Sequence, residues 1–221
     1  MNSVVNNLRA AGLKGYQVNV ANGFWESQRN KAEMYALMHS ELDEAFLAVD
    51  EGCMDDKLPE YPGDIAEIAD TVIRIADYAE GFGLKVWECI DTLVGPQPKD
   101  TFDFTIGIDK IGRMATQKLA VGSGMEYYES LLFAHSALSL ALECLRKPEK
   151  YPAIKVDGVE YEAETFYLAA TVLMCMDYVD VQYDFTTYLA DDMSPVDLLV
   201  MVMEKKIAVN ATRGYKHGKQ F

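Results

Sequence analysis

Residues that bind soft metals are scarce in this sequence. It has three histidines and four cysteines among 221 residues, and no two cysteines form a C-x-x-C pair. No histidine follows a glutamate by three positions, the step that di-iron and di-manganese bundles use. Di-iron and di-manganese centres are therefore disfavoured. The cysteines lie mostly in apolar helical segments, which predicts reduced, buried thiols; they are Cys53, Cys89, Cys144 and Cys175.

Basic residues are also few. The chain has 20 lysines and arginines against 35 aspartates and glutamates, which gives a formal net charge of −15. Such a field repels the phosphate backbone of nucleic acids, so no nucleic-acid partner is expected. A small phosphorylated substrate stays open if metal ions mediate its binding.

Long apolar runs are missing. The nearest candidates, residues 168–176 and 198–203, are far shorter than a membrane span, and the N-terminus lacks the apolar region of a signal peptide. We expect no membrane partner and a cytoplasmic protein. Because 50% of the residues are hydrophobic and no low-complexity tract occurs, the chain can form a core as one domain or two small ones.

Apolar residues recur at three- and four-residue steps along most of the chain, which is typical of amphipathic helices. Pro195 fits the first turn of a helix, with Ser194 as its N-cap. Asp157 and Gly158 predict the turn of a small hairpin within residues 155–161. The sequence predicts an all-α helical bundle with helices near residues 31–50, 65–81, 84–93, 106–121, 125–145, 162–181 and 195–212.

One helical unit occurs twice. The segment HSELDEAF, which begins at His39, matches HSALSLAL, which begins at His135. The segment ADTVIRIADY, which begins at Ala69, matches AATVLMCMDY, which begins at Ala169. The offsets of 96 and 100 residues are nearly equal, so we predict two similar repeats, residues 1–100 and 101–221.

Four acids of the first repeat have no acidic counterpart in the second. The matched positions are Glu41 and Ala137, Glu44 and Leu140, Glu67 and Tyr167, and Asp70 and Ala170. Each acidic pair is spaced i and i+3, on one face of a helix, and Glu41 falls on the apolar stripe. Buried carboxylates must be paired, protonated or bound to metal, and Arg74 offsets at most one or two of them. His39 and Asp77 persist in both repeats and are interpreted as structural.

An all-oxygen set of four carboxylates suits a hard divalent cation such as Mg²⁺ or Mn²⁺. The competing interpretation is an ordinary solvated acidic surface, since acids at i and i+3 are common on exposed helices.

These residues resemble the MazG-like, all-α nucleoside triphosphate pyrophosphohydrolase superfamily, which includes the dimeric dUTPases. Its two acidic motifs match Glu41-Leu42-Asp43-Glu44 and Glu67-Ile68-Ala69-Asp70. Three blocks in order resemble phage-type members: RNKAEMYALMHSELDEA from residue 29, EIADTVIRIADYA from residue 67 and KIAVNATRGYKHGKQF from residue 206. Here the acidic blocks and the C-terminal block stand in different repeats, so the chain resembles a family dimer fused into one polypeptide.

The resemblance implies Mg²⁺-dependent cleavage of a nucleoside triphosphate, with deoxynucleotides included, to a monophosphate and pyrophosphate; Mn²⁺ is an alternative metal. Glu41, Glu44, Glu67 and Asp70 would hold the metal, and Glu41 or Glu44 would activate the water. The other residues that the resemblance assigns to the substrate are Trp25, Arg29, Asn30, Lys206, Asn210, Arg213, Lys216 and His217. Acids of one repeat would face basic groups of the other. Whether the pseudo-dimer also forms a homodimer is left open.

Two rival functions are also compatible with the sequence. A non-catalytic regulator would bind nucleotide or metal in the same pocket without turnover. A structural bundle would carry its acids as surface charges and would bind neither.

Overall fold

The computed structural model describes residues 2–97, 103–114, 127–183 and 193–215. Its architecture is all-α, as the sequence predicts. A 3₁₀ turn at Pro148–Lys150 and a hairpin of strands β1 (Ile154–Val156) and β2 (Val159–Tyr161) accompany the helices. In chain order, the α-helices of the described residues are α1 (Ser3–Ala21), α2 (Lys31–Glu51), α3 (Gly63–Phe82), α4 (Val86–Val94), α5 (Thr105–Met114), α6 (Tyr127–Arg146), α7 (Ala163–Tyr183) and α8 (Pro195–Ala211).

The predicted helices agree with the observed ones to within a few residues at each end. The predicted continuation of α5 from residue 115 to 121, and the predicted start of α6 at residues 125 and 126, lie outside the described residues. The hairpin is confirmed: β1 pairs antiparallel with β2, and the turn residues Asp157 and Gly158 have φ of 45° and 89°. Positive φ at both central residues is the signature of the type I′ turn that joins two strands most tightly.

Helix α1 is absent from the sequence-based prediction. Its interior contains Gly12 and Gly15, and glycine in a helix interior is disfavoured by about 1 kcal/mol relative to alanine. The structure explains Gly15, because a Cβ there would lie 3.2 Å from Cγ2 of Ile73 on α3. The missing side chain lets α1 approach α3 closely.

The chain divides into two compact units. The first unit comprises Asn7–Leu84 and Asp197–Phe221, and the second comprises Met1–Asn6 and Lys85–Val196. Within the first unit α2 packs against α3, and within the second α6 packs against α7, so the matched helices of each repeat form a pair. The repeats are defined by sequence, and their bounds differ from those of the units because α4 belongs to the second unit and most of α8 belongs to the first. The fused pseudo-dimer stays a prediction.

In the first unit, α3 is buried on almost every side, as its sequence indicates. The ends of α2 are fixed locally. The side chain of Asn30 accepts hydrogen bonds from the N–H groups of Ala32 and Glu33, and Gly52 ends the helix in the left-handed conformation with φ of 62°. These caps set the position from which α2 presents Glu41 to α3.

In the second unit, the buried core is centred on α7, which is buried continuously from Ala163 to Val179. Its Asp177 accepts a hydrogen bond of 2.6 Å from the hydroxyl of Ser130 on α6. The positions that match the four acids are apolar or aromatic, and of these Ala137 and Ala170 have no exposed surface. The second unit thus fills these positions with ordinary packing.

The four cysteines differ in burial. Cys89, Cys144 and Cys175 are buried as predicted, but Cys53 is exposed, because it lies in the loop just beyond the end of α2. The prediction of a buried thiol is therefore wrong for Cys53.

None of the helices in the described ranges has the length and apolar character needed to cross a membrane.

Candidate functional site

Three of the four predicted acids converge between α2 and α3. Glu41 is buried on the face of α2 that packs against α3, while Glu67 and Asp70 lie one turn apart on α3 and are partly buried. One carboxylate oxygen from each lies within 4.8 Å of the others. We call these three residues the carboxylate cluster. The spacing in the sequence predicted that Glu67 and Asp70 share one face of α3, and the packing of α2 against α3 brings Glu41 to them.

Two cations face the carboxylate cluster. The guanidinium of Arg74, one turn beyond Asp70 on α3, forms an ion pair with Glu41. The ammonium of Lys206 on α8 lies 2.9 Å from Oδ2 of Asp70 and 3.8 Å from Oε1 of Glu67. It also lies 2.9 Å from Oδ2 of Asp55, which belongs to the loop between α2 and α3. Four carboxylates thus surround two cations, which leaves an excess of negative charge.

Burial and the neighbouring carboxylates raise the pKa values of Glu67 and Asp70, because both disfavour a negative charge on these side chains. Burial, together with a hydrogen bond to Glu41 and the nearby charge of Asp70, raises the pKa of Glu67 to about 8. Burial also raises the pKa of Asp70, although Lys206 opposes the shift. Burial disfavours the charged form of Lys206, but the carboxylates of Asp70, Asp55 and Glu67 outweigh it and raise its pKa. A further cation would relieve the remaining repulsion among the acids.

Glu44 lies outside the carboxylate cluster. It is exposed, and its Oε1 accepts a hydrogen bond of 2.9 Å from the hydroxyl of Ser40. A shallow cavity of about 230 Å³ has both Glu44 and Glu67 among its lining residues. Glu44 can therefore reach solvent beside the cluster, whereas the expectation that it joins the other three acids as an equal ligand stays a prediction.

A larger cavity adjoins the cluster through Asp70 and Arg74. Its volume is about 560 Å³, and α1, α2, α3 and α8 of the first unit all contribute to its wall. The apolar part of the wall includes Phe24, Leu37 and Ile73. The polar lining consists of Asn19, Arg29, Asp70, Arg74, Asp77, Asn210 and Arg213. Three of these are arginines and two are aspartates, so the polar wall carries one net positive charge when all five are ionised.

Asp77 is a cavity residue that sequence reasoning took to be structural. It is nearly fully buried, and it accepts hydrogen bonds from Nε1 of Trp25 at 2.8 Å and from a guanidinium nitrogen of Arg29 at 3.2 Å. Burial raises the pKa of Asp77, while its hydrogen bonds to Trp25 and Asn19 oppose the shift. Because the matched Asp177 also accepts a buried hydrogen bond, persistence in both repeats could not reveal that Asp77 also borders a cavity.

The predicted nucleoside-pocket residues take different positions. Arg29 lines the cavity. Trp25 packs edge-on against Tyr16 and Phe82, and it is absent from the cavity wall in the described part of the chain. Asn30 is exposed and caps α2 through its side-chain oxygen. Stacking by Trp25 on a base, and recognition by Asn30, stay predictions.

The residues predicted to contact the phosphates do not all lie in one place. Asn210 and Arg213 line the cavity, and Nη1 of Arg213 lies 3.3 Å from Oδ1 of Asn210. Lys206 is instead buried among carboxylates, with its side chain 3% exposed. Lys216 and His217 lie outside the described residues. Asp55 was missed by sequence reasoning because it lies in a loop without periodicity.

The carboxylate cluster fits a hard divalent cation by its chemistry, since all its donors are oxygens and they carry unbalanced negative charge. The adjoining cavity fits a small anionic ligand with an apolar portion, because arginines and apolar side chains share its wall. Comparison of the chain with protein-family models, curated proteins and solved structures gives no match.

Proposed function

We propose that this chain is a Mg²⁺-dependent nucleoside triphosphate pyrophosphohydrolase, which cleaves a nucleoside or deoxynucleoside triphosphate between the α and β phosphates. The observation that carries the proposal is the junction of two features at Asp70. On one side lies an oxygen-rich carboxylate cluster with excess negative charge, and on the other a cavity of about 560 Å³ lined by three arginines. The resemblance to MazG-like proteins supports the same assignment.

The residues would divide the reaction as follows. Glu41, Glu67 and Asp70 would hold Mg²⁺, with Glu44 at the exposed edge. When bound, Mg²⁺ would neutralise phosphate charge and orient the attacking water. Glu41 or Glu44 would accept the proton as the water oxygen bonds to the α-phosphorus. The bond from that phosphorus to the bridging oxygen would break, releasing pyrophosphate.

The cavity residues would bind the substrate. Arg213 and Asn210 would contact the phosphates, since guanidinium groups donate paired hydrogen bonds to phosphate oxygens. Phe24 and Leu37 would cover the nucleoside. Arg29 is already paired with Asp77, so these two would shape the wall as a unit.

A non-catalytic regulator is the second candidate, and one observation favours it. Arg74 and Lys206 already compensate part of the cluster's charge, so the acids can persist in a folded chain without chemistry. Such a protein would bind nucleotide and metal in the same place without turning the nucleotide over.

The test is incubation with a panel of triphosphates and Mg²⁺, with products resolved chromatographically. We expect monophosphate and pyrophosphate in equal amounts, and at least a hundredfold loss for Glu44→Gln and Asp70→Asn. Asp43→Asn is the matched control, because Asp43 is an exposed acid on the same helix as Glu44. Full activity in both site variants would refute the assignment.

A thermal-shift assay separates the rivals if no product forms. A raised melting temperature with nucleotide and Mg²⁺ but no turnover would support the regulator. No shift with any triphosphate and metal would support a structural bundle.

A further inference from the structure

The surroundings of Lys206 differ from those of a phosphate-binding lysine. Its side chain is 3% exposed, and its ammonium lies at 2.9 Å from carboxylate oxygens of both Asp55 and Asp70. Glu67 lies at 3.8 Å. A charge buried this deeply is stable only while its partners remain. Moving the ammonium to a substrate phosphate would therefore leave Asp55 and Asp70 without their shared counter-ion.

Asp55 is an ion-pair partner of Lys206 that does not belong to the carboxylate cluster. Its side chain is 1% exposed, and its Oδ1 accepts hydrogen bonds from the backbone N–H groups of Lys57 at 3.0 Å and Leu58 at 2.6 Å. Asp55 is therefore fixed by its own loop. A cation arriving at Glu41, Glu67 and Asp70 would compete for Asp70, but it would not remove Asp55 from Lys206.

The charges then limit what else can bind. The count applies to the state that binds metal, in which the carboxylates are ionised. Asp55, Glu41, Glu67 and Asp70 then carry four negative charges, and Lys206 and Arg74 return two positive charges. Glu44 is exposed to solvent and is left out of this count. The remaining two negative charges match one divalent cation. A second divalent cation would leave the group positive in a largely buried site, where uncompensated charge is strongly unfavourable.

We propose that Lys206 is a built-in cation that fills one position of the acidic site, so that the site takes one divalent metal ion rather than two. Lys206 then takes, beside Asp70 and Glu67, the place of a second ion. This inference rests on the metal requirement of the proposed function. It differs from the phosphate contact that the sequence resemblance implies for the same lysine.

The experiment is titration with Mn²⁺ alone, without nucleotide, on the full chain, with bound ions counted by calorimetry and by loss of the free-ion electron paramagnetic resonance signal. The wild-type chain should bind one ion. Lys206→Met should bind a second ion, or should bind the first at least tenfold more tightly. Lys205→Met is the matched control, since Lys205 is the adjacent residue and is exposed; it should leave both quantities unchanged.

The outcomes separate this inference from the proposed function. Two ions in the wild-type chain, or equal binding by Lys206→Met and Lys205→Met, would overturn the role of Lys206 while leaving a metal-dependent enzyme intact. No ion in any variant would overturn both. One ion only after Lys206→Met would support the built-in cation and contradict a metal-dependent native site. If Lys206→Met does not fold, the wild-type count decides: one ion supports the inference and two overturn it.

Discussion

Asp55→Asn is the sharpest test of the ion network that joins the loop between α2 and α3 to α8. Asp55 accepts three hydrogen bonds, two from backbone N–H groups through Oδ1 and one from Lys206 through Oδ2. Asparagine can keep the first oxygen in place. It removes the charge, however, and its amide would present a donor to the ammonium of Lys206, which is also a donor.

The magnitude follows from the burial of the pair. Removing one partner of a buried ion pair costs about 3–5 kcal/mol of unfolding free energy. Lys206 retains Asp70 at the same distance of 2.9 Å, so the loss should fall below that range, at about 2 kcal/mol. Asp56→Asn is the matched control, because the side chain of Asp56 is 76% exposed. That variant should stay within about 0.5 kcal/mol of wild type.

The assay can isolate the first unit, because each unit contains one of the two tryptophans. Trp25 lies in the first unit and Trp87 in the second. In a Trp87→Phe background, urea unfolding followed by fluorescence reports on the surroundings of Trp25. A transition for Asp55→Asn that overlays that of Asp56→Asn at neutral pH would refute the network as a source of stability.

The pH dependence of Asp55→Asn has a definite sign. Burial raises the pKa of Asp55, but its hydrogen bonds to Lys206, Leu58 and Lys57 outweigh burial and lower it below the ordinary 3.8. The stability that Asp55 contributes is therefore present above about pH 4 and is lost as the pH falls through its folded-state pKa. The gap between wild type and Asp55→Asn should narrow in acid, and a gap that widens would contradict the reasoning.

Three further predictions concern local structure. Gly81→Ala should destabilise the first unit by about 1–3 kcal/mol, because a Cβ there overlaps the ring of Trp25; in a Trp25→Ala background it should be neutral or stabilising when measured by urea unfolding. Asn30→Ala should cost about 1 kcal/mol while Asn30→Ser costs little, with turnover per folded molecule unchanged in both, because Asn30 caps α2. Cys53 should react rapidly with a thiol reagent, whereas Cys175 should react only on unfolding, because burial raises its pKa to about 12.

Each of these has a contradicting result. An equal loss from Gly81→Ala with and without Trp25 would exclude the steric cause. A raised KM for Asn30→Ser, whose hydroxyl preserves the cap, would instead favour the substrate contact that the resemblance implies. Labelling of Cys175 in the folded chain, at the rate of Cys53, would contradict its burial.

Apolar periodicity predicted α2, α3, α7 and α8 well, because the buried surface of each helix is formed by apolar residues at helical spacing. It also placed Glu41 on the buried face, and the one-turn step from Glu67 to Asp70 required that these acids share a side of α3. The sequence did not predict α1, because glycine disfavours a helix and the reason for Gly15 is its close contact with Ile73, which the spacing of residues does not reveal.

The partners of Lys206 escaped prediction for a similar reason. Lys206 and Asp55 are 151 positions apart, and their meeting depends on where α8 lies in the first unit. The sequence also did not predict that Glu44 is exposed. Residues three apart on a helix share a face only approximately, and Glu41 lies on the buried face of α2 whereas Glu44 lies just outside it.

The second repeat supplies the residues for a test of why the acids are present. The counterparts of Glu41 and Arg74 are Ala137 and Met174, both buried with no exposed surface. Glu41→Ala alone should cost about 1–2 kcal/mol, because it leaves Arg74 short of a partner, and the 30% exposure of Arg74 tempers the loss. Arg74→Met alone should cost a similar amount, because it strips Glu41 of its counter-ion.

The double variant Glu41→Ala with Arg74→Met should recover wild-type stability or exceed it, since apolar replacement of a buried ion pair is often neutral or stabilising. Urea unfolding of the four chains closes a double-mutant cycle, and Mn²⁺ titration of the same chains measures binding. Losses that simply add would show that Glu41 and Arg74 do not couple, and would contradict the ion pair as the cause of either single loss. Recovered stability with lost Mn²⁺ binding would mean that folding does not require the ion pair, and that Glu41 is present to bind the metal.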